Sequence, residues 1–488
     1  MKRSIDARQR ELRVHLTILT DDAGKPIPKD APIPLYEPPV FQDVHDAKRS
    51  AIIIGAGPAG LFAALTLIEH GIKPIIYERG KEVSERKRDI ALLNRNEGLN
   101  PESNYCFGEG GAGTFSDGKL FSRSKKRGNM QRVMELFHYF GAPDTVLYEA
   151  HAHIGSDKLP GIIKKMRECI LEHGGEIHFE TKIESLTPYT VHHTPIILAI
   201  GHSAHDTYRM LAAEGVALET KGFAMGVRAE HPQALINKLM YHLGAQNTEH
   251  RAQTELLEYV GNASYSLVTQ VDGRGVYSFC MCPGGHIVPA GSTADSCVVN
   301  GMSASHRNSP YANSGMVVQI NPEDIPGNDP LRGLAFQEEL ERLAFEHGGP
   351  QAQAPAQRLK DFVEGKESKS LPACSYLPGI VPSRLDQWLP AHIGARLQQG
   401  FRDFDRKYQG FLTNDAVIVG VESRSSSAIR IPRDPETLQS VSTPGLYPCG
   451  EGAGYAGGIT SSALDGINAA LKIAEIIVRV KRDKNTDC

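Results

Sequence analysis

Long apolar runs are missing from this chain of 488 residues. No uninterrupted stretch approaches the length that a bilayer-spanning helix needs. The first residues, Met1-Lys-Arg-Ser-Ile-Asp-Ala-Arg, alternate charge where a leader peptide would carry an apolar segment. The expectation is a cytoplasmic protein with no membrane partner. An excess of one charge is missing too: 53 Lys plus Arg stand against 57 Asp plus Glu, for a formal net charge of -4. That balance gives no basic footprint for nucleic acid. The eight cysteines (106, 169, 280, 282, 297, 374, 449 and 488) are too thinly spread for a disulfide framework, which fits a reducing compartment. No fixed-period repeat is visible, so solenoids and propellers drop out. What remains is an ordinary globular composition, 40% hydrophobic, with length for several domains and a small-molecule partner as the default.

Leu12, Val14, Leu16 and Ile18 alternate with polar neighbours, the pattern of a strand with one buried face. Six prolines between Pro26 and Pro39 then favour an extended connector. From Ala51 the pattern reads strand, tight turn, helix, strand. Ala51 to Ile54 is a short apolar run, Leu61, Ala64, Leu65 and Ile68 share a helical face, Gly71 stops that helix, and Ile75 to Glu78 is a second strand. Pro195 to Gly201 reads as another strand of the same parallel sheet. Residues 221 to about 420 change character. Asp329 and Pro330 open a predicted helix there, and 356–365 and 389–408 also read as helical. Strand 445–448 and a helix through about Ile477 close the chain. The predicted class is α/β: a Rossmann-type dinucleotide-binding domain with a parallel sheet, discontinuous in sequence, and an inserted α+β cap or substrate domain. Its divisions are 1–48 (strand and connector), 49–220 and 421–488 (cofactor domain), and 221–420 (cap).

Gly55-x-Gly57-x-x-Gly60 sits between a predicted strand and a predicted helix, and Glu78 follows 18 residues after the last glycine. The first glycine permits the turn, the second lets backbone approach a pyrophosphate, and the third lets helix and strand pack closely. Helix N–H groups then meet the phosphate charge. Glu78 would accept from ribose hydroxyls and would repel a 2′-phosphate, so NADP is disfavoured at this site; NAD and FAD both remain open on this motif. Glycine is also concentrated at 98–118, with six, and at 445–466, with seven, which implies two more places of close backbone approach. A helix starting near Ile459 would aim its positive end at a flavin edge.

Ala51 to Gly80, with Gly57-Pro58-Ala59-Gly60 and Glu78-Arg79, resembles the FAD-binding unit of glutathione-reductase-like flavoproteins. Ser4 to Arg8, Gly110 to Leu120, Cys280 to Gly285, Val299 to Ser303 and Gly450 to Ile459 further resemble a bacterial family of uncharacterised FAD-dependent dehydrogenases and oxidoreductases. The likeness covers nearly the whole chain and is silent about substrate. It implies that Gly55, Gly57, Pro58, Ala59 and Gly60 surround the pyrophosphate and that Glu78 meets the adenosine ribose. Arg79 and the backbone of Ile183 would flank the adenine. It places Gly111, Ala112, Gly113 and Thr114 along the flavin, Ala199 and Gly201 at the position of a common Ala-Thr-Gly, and Gly450 and Glu451 at the position of a common Gly-Asp that binds the ribityl chain. Gly458 and Ile459 would lie at the flavin end. Ile200 and Glu451 depart from the common Thr and Asp.

Catalytic candidates are Lys119 and Asp117, in the flavin-facing loop, and Cys282. The pair Cys280-x-Cys282 invites a dithiol reading, but one intervening residue makes a strained ring, and the geometry favours small residues packed in a turn. His286 alone beside them makes no zinc site, and no metal is expected. His202 and His205 read as hydrogen-bonded loop histidines. Arg228, Arg424, Arg430 and Arg433 form a candidate anion set with Ser425 to Ser427. Phe223 to Arg228 and the 280s loop are the expected substrate wall. The function expected is an FAD-dependent oxidoreductase passing a hydride between flavin N5 and a small-molecule substrate or transiently docked NAD(P)H; no second nucleotide fingerprint marks a nicotinamide domain. The competing reading is a non-catalytic FAD-binding redox sensor. Oligomeric state is not legible.

Overall fold

In the computed structural model, the residues described are 2–7, 12–17, 38–121, 128–190, 194–243, 257–350 and 352–486. The proline-rich connector before Pro38 and the basic run 123–127 lie outside them.

Five short strands form the parallel sheet: β1 (Ser50–Ile54), β2 (Lys73–Tyr77), β3 (Glu176–His178), β4 (Ile196–Leu198) and, from the far end of the chain, Leu446–Pro448. The order is 446–448, β4, β1, β2, β3. Parallel pairing needs crossovers, and helix α1 (Pro58–Glu69) supplies the first, with Pro58 at its opening turn, where a missing N–H costs nothing. α1 is buried along nearly its whole length because the sheet lies on one side and the C-terminal helix on the other. That last helix spans Ile459–Thr486, and its Gly466 lets the two backbones touch: a Cβ there would sit 2.0 Å from the Ala59 carbonyl oxygen.

A second, seven-stranded sheet comes from the middle of the chain. Its strands are β5 (Phe223–Pro232), β6 (Val268–Val271), β7 (Arg274–Cys282), β8 (Tyr311–Ile320), β9 (Ala354–Arg358), β10 (Ile380–Pro382) and β11 (Val417–Glu422), in the order β10-β9-β11-β5-β8-β7-β6. Its last strand runs past the expected boundary at 420. A helix over Ala391–Lys407 covers one face with Ile393, Leu397, Phe401 and Phe404. β7 loses register between Phe279 and Cys282, and Cys280 there takes φ +45°. Among the described residues no helix is long and apolar enough to cross a membrane.

Three sequence expectations are corrected. Residues 13–17 do form a strand, paired with Lys2–Asp6, yet every residue of it is exposed, with Leu16 53% accessible. Alternation secured pairing, but no layer covers that face. Ala354–Arg358 is a strand followed by a short helix at Leu359–Glu364, because pairing with β11 overrides local helix preference. The helix expected at Asp329-Pro330 starts at Arg332, and Asp329 instead accepts from the Leu331 amide at 2.8 Å.

Candidate functional site

The fingerprint turn lies at the carboxyl end of β1. Gly55 holds φ +105°, and a Cβ on it would lie 2.4 Å from the Ala199 oxygen; one on Gly60 would lie 1.9 Å from the Gly55 oxygen. These two glycines are demanded by packing. Gly57 differs: a Cβ on it would meet only the Gly111 Cα, at 3.8 Å, so the space before it is open. Gly57 is also the N-cap of α1 and makes no side-chain cap. Intrahelical bonding cannot satisfy the amides of Ala59 and Gly60, and they stand at the positive end of the helix.

The other two glycine clusters fold onto this turn. The Gly110 amide donates to the Ala56 oxygen at 2.8 Å, and Gly111 faces the Gly57 Cα. Arg86, fully buried, fixes that loop by donating to the carbonyls of Asn104, Tyr105, Gly108, Glu109 and Gly111. Thr114 closes it onto the Glu109 oxygen at 2.9 Å. From the far end of the chain, a Cβ on Gly450 would lie 3.0 Å from the Ala59 Cβ, and one on Gly113 would lie 3.1 Å from Ile459. The Gly450 amide donates to Asp465 at 2.7 Å, Asp465 is held by Arg433, and the Tyr208 hydroxyl donates to the Gly452 oxygen at 2.6 Å. Gly201, Gly457 and Gly458 have nothing within 4 Å of where a Cβ would stand. A trough with bare backbone along it therefore follows the carboxyl edge of the sheet, where open α/β sheets bind their ligands.

Glu78 is buried and largely spent on backbone: its Oε2 accepts from Ala56 at 2.8 Å, and its Oε1 accepts from Gly80 and Gly108 at 2.9 and 3.0 Å. Arg79 is clamped by Asp206, at 2.9 Å through both nitrogens, and by Glu102 at 2.6 Å, and it lies over the Phe107 ring. Ile183 is buried beside Ile54 and Leu198. Glu451 lies 3.5 Å from His202. Arg79, Phe107, His205 and Asp206 line one side of a cavity of about 630 Å³, and Glu338 and Arg424 line the other.

Asp117, Lys119 and Cys282 come together from distant parts of the sequence. Lys119 Nζ is 3.4 Å from Asp117 and 3.7 Å from the Cys282 Sγ. Arg307, which no sequence pattern singles out, forks onto Asp117 at 2.6 and 3.1 Å. Burial alone would raise the Asp117 carboxyl, but Lys119 and Arg307 outweigh it and hold it at about 2. Leu120, next in the chain, accepts from Thr460 at 2.8 Å, which joins this group to the start of the last helix.

The candidate anion set does not assemble. Arg228 is neutralised by Glu422 and Arg424 by Glu341, both buried pairs, Arg433 by Asp465 in a partly buried one, and Arg430 is exposed beside Tyr455. Phe223 to Arg228 belongs to a buried central strand and forms no open wall. His205 pairs with Glu338 at 2.9 Å. Among the described residues no group of three or more metal-ligating side chains occurs.

Residues 48–209 match the family described as FAD binding domain, and residues 222–425 match the family described as FAD-dependent protein, C-terminal domain-like. A protein of Clostridium beijerinckii, itself called only an uncharacterized protein, is 42% identical over 447 residues, which span 88% of this chain and 82% of the relative. The chain belongs to this family of FAD-dependent proteins, and FAD is its cofactor. Similar solved structures include CtdE in complex with FAD, at 10% identity and TM-score 0.30, over 87% of this chain and 83% of that one. Another is the halogenase PltM, at 13% identity and TM-score 0.36, over 90% of this chain and 70% of that one. The trough fits the cofactor: bare glycines leave room for it, and the free helix amides would suit a diphosphate.

Proposed function

We propose that this protein is an FAD-dependent oxidoreductase that passes a hydride between flavin N5 and a small-molecule substrate or NAD(P)H. The observation that carries the reading is Lys119, anchored by Asp117 in a loop that continues from the glycine trough. In this reading residues 49–220 and 423–488 form the cofactor domain and 221–422 the cap. Gly55, Gly57, Pro58, Ala59 and Gly60 surround the diphosphate. Glu78 turns its one remaining acceptor position to the ribose, and Arg79 and Ile183 flank the adenine. Gly111 to Thr114, Ala199, Gly201, Gly450, Glu451, Gly458 and Ile459 border the ribityl chain and the ring. FAD supplies two-electron chemistry. The chain supplies the proton handling: Asp117 stays ionised, so Lys119 stays an ammonium that donates to a substrate oxygen as charge develops on it. The cavity of about 630 Å³, which Arg79 lines, lies at the adenine end of the cofactor in this reading.

The test is anaerobic mixing of the FAD-loaded protein with NADH, NADPH and a panel of reduced substrates, followed by quinones or enals, with flavin absorbance recorded. We expect one donor to bleach the flavin and one acceptor to restore it, with Lys119→Met slowing the second step about 100-fold, as for loss of a general acid. A flavin reducible only by dithionite, and inert to every acceptor, would overturn the proposal.

A further inference from the structure

Asp117 is buried, and two cations meet at one of its oxygens: Oδ2 lies 3.4 Å from Lys119 Nζ and 2.6 Å from Arg307 Nη2. The two cations stand side by side, within reach of one further anion. Among the described residues nothing nearby cancels the surplus charge. Glu422 is spent on Arg228, Asp157 accepts twice from Ser305, and the Cys282 thiol, donating to the Cys280 carbonyl at 3.2 Å, carries no charge. Burial, its largest influence, holds His153 below the usual imidazole range, so it is uncharged at neutral pH. Arg307 spends Nε and Nη2 on Asp117 and leaves Nη1 without a partner among the described residues but open to water. The Lys119 side chain is 37% accessible, yet burial is the strongest influence on its ammonium, pulling it down before its neighbours, Asp117 among them, raise it above the ordinary lysine value. Cys280 shares both traits: it is exposed, and burial pushes its thiol up to about 12. Groups that water reaches although protein crowds them line a recess and not an open face.

Two residues with a Cβ hold left-handed backbone beside this recess, Cys280 at φ +45° and Arg307 at φ +48°, and such conformations persist only where the surroundings impose them. Arg307 is fixed from its carbonyl side. That oxygen accepts from Asn262 at 2.7 Å, Asn262 from Asn237 at 2.9 Å and Asn237 from Gln233 at 2.8 Å, and a Cβ on Gly284 would stand 1.7 Å from the same oxygen. Lys119 alone would neutralise Asp117, so a second cation held on strained backbone calls for another anion. We propose that Lys119 and Arg307 together grip a carboxylate of the substrate, which makes the substrates small carboxylic acids and Arg307 the residue that selects them. Lys119 meets one oxygen, and Arg307 Nη1 meets the other. One surplus positive charge suits a monoanion; a phosphate monoester, as a dianion, would leave a negative charge unpaired in the recess. The inference rests on the hydride reading above, which puts the substrate beside Lys119.

The oxidised, FAD-loaded protein is titrated with cinnamate, cinnamamide and phenyl phosphate, with binding followed by calorimetry and by flavin absorbance. We expect cinnamate to shift the flavin band and to bind at least about tenfold more tightly than its neutral amide, with phenyl phosphate weaker than cinnamate. Arg307→Met should remove the preference for the acid and leave the affinity for the amide unchanged. Arg307→Lys keeps a cation on Asp117 should the Met variant fail to fold, and it should retain part of the preference, since the charge survives and the fork does not. Equal affinity for acid and amide in the parent, a flavin band that no carboxylate moves, or an undiminished preference in Arg307→Met would overturn the proposal. So would an Arg307→Met protein whose only change is a lower flavin midpoint potential, because the surplus charge would then serve the reduced cofactor. Tight, Arg307-dependent binding of cinnamate beside a flavin that no donor reduces would uphold the carboxylate grip and fault the hydride reading alone.

Discussion

At the scale of single residues, the glycines of one motif separate by what each would strike. Gly57→Ala places a methyl in open space before the helix amides, so the protein should fold and lose at least tenfold in FAD affinity, about 1.4 kcal/mol, read by flavin titration of the apoprotein. Gly60→Ala drives a methyl into the Gly55 oxygen and should cost about 2–4 kcal/mol in urea unfolding, with or without FAD. Asp117 offers a second test. Its folded value of about 2 lies below the usual carboxylate range, so its contribution is complete above pH about 4 and is lost as pH falls through 2. Asp117→Asn should therefore lose about 2 kcal/mol at neutral pH and show a shallower acid limb than the parent. The glycines were legible in sequence because their demands are local, a turn and a close approach within a few residues. Asp117 and Lys119 were legible as neighbours of a glycine cluster. Arg307 was not: it reaches Asp117 across the fold from a loop whose own sequence announces nothing.

At the scale of elements, the helix over Val83–Asn94 has a buried partner with an opposite pH signature. Glu109 accepts from the Val83 amide at 2.7 Å in the opening turn of that helix. Burial, its largest influence, pushes its carboxyl up to about 7 in spite of that bond and Arg167. A raised acid favours the folded state fully below its unfolded value near 4.5, and that advantage is lost as pH rises through 7. Stability should fall across that window by something on the order of 3 kcal/mol, and Glu109→Gln should flatten the profile in chemical unfolding at stepped pH. Four of the five strands of the parallel sheet were legible as short apolar runs; Glu176–His178, three residues with two polar, was not. The strand at Ala354–Arg358 was not, since its Ala and Gln residues favour a helix alone and pairing with β10 and β11 decides otherwise. The alternation near Leu16 announced a strand truthfully and its burial falsely, because period two reports pairing geometry and not what lies above the sheet.

At the scale of the whole molecule, the two sheets are tied by a clasp. Arg307 grips Asp117, Ser305 donates to Asp157 through both its amide and its hydroxyl at 2.7 Å, and the Ser156 amide donates to the Ser303 oxygen at 3.0 Å. Removing the guanidinium leaves Asp117 buried with Lys119 alone, so Arg307→Ala should cost about 3 kcal/mol and loosen the fit between the parts. The check is thermal unfolding with rising FAD: the parent should show one transition whose midpoint climbs with cofactor concentration, whereas the variant should split into two. The discontinuity of the cofactor domain was legible from the late glycine cluster alone; the clasp was not, because charge pairs across a fold leave no spacing in the chain.

The last helix, from Ile459, packs on α1 and brings its own glycine cluster against Ala59. Synthesis therefore delivers the first wall of the trough early and the final wall only once residues 450–459 have emerged from the ribosome. Nascent chains arrested before Gly450 should stay colourless, and the yellow holoprotein should appear only after release.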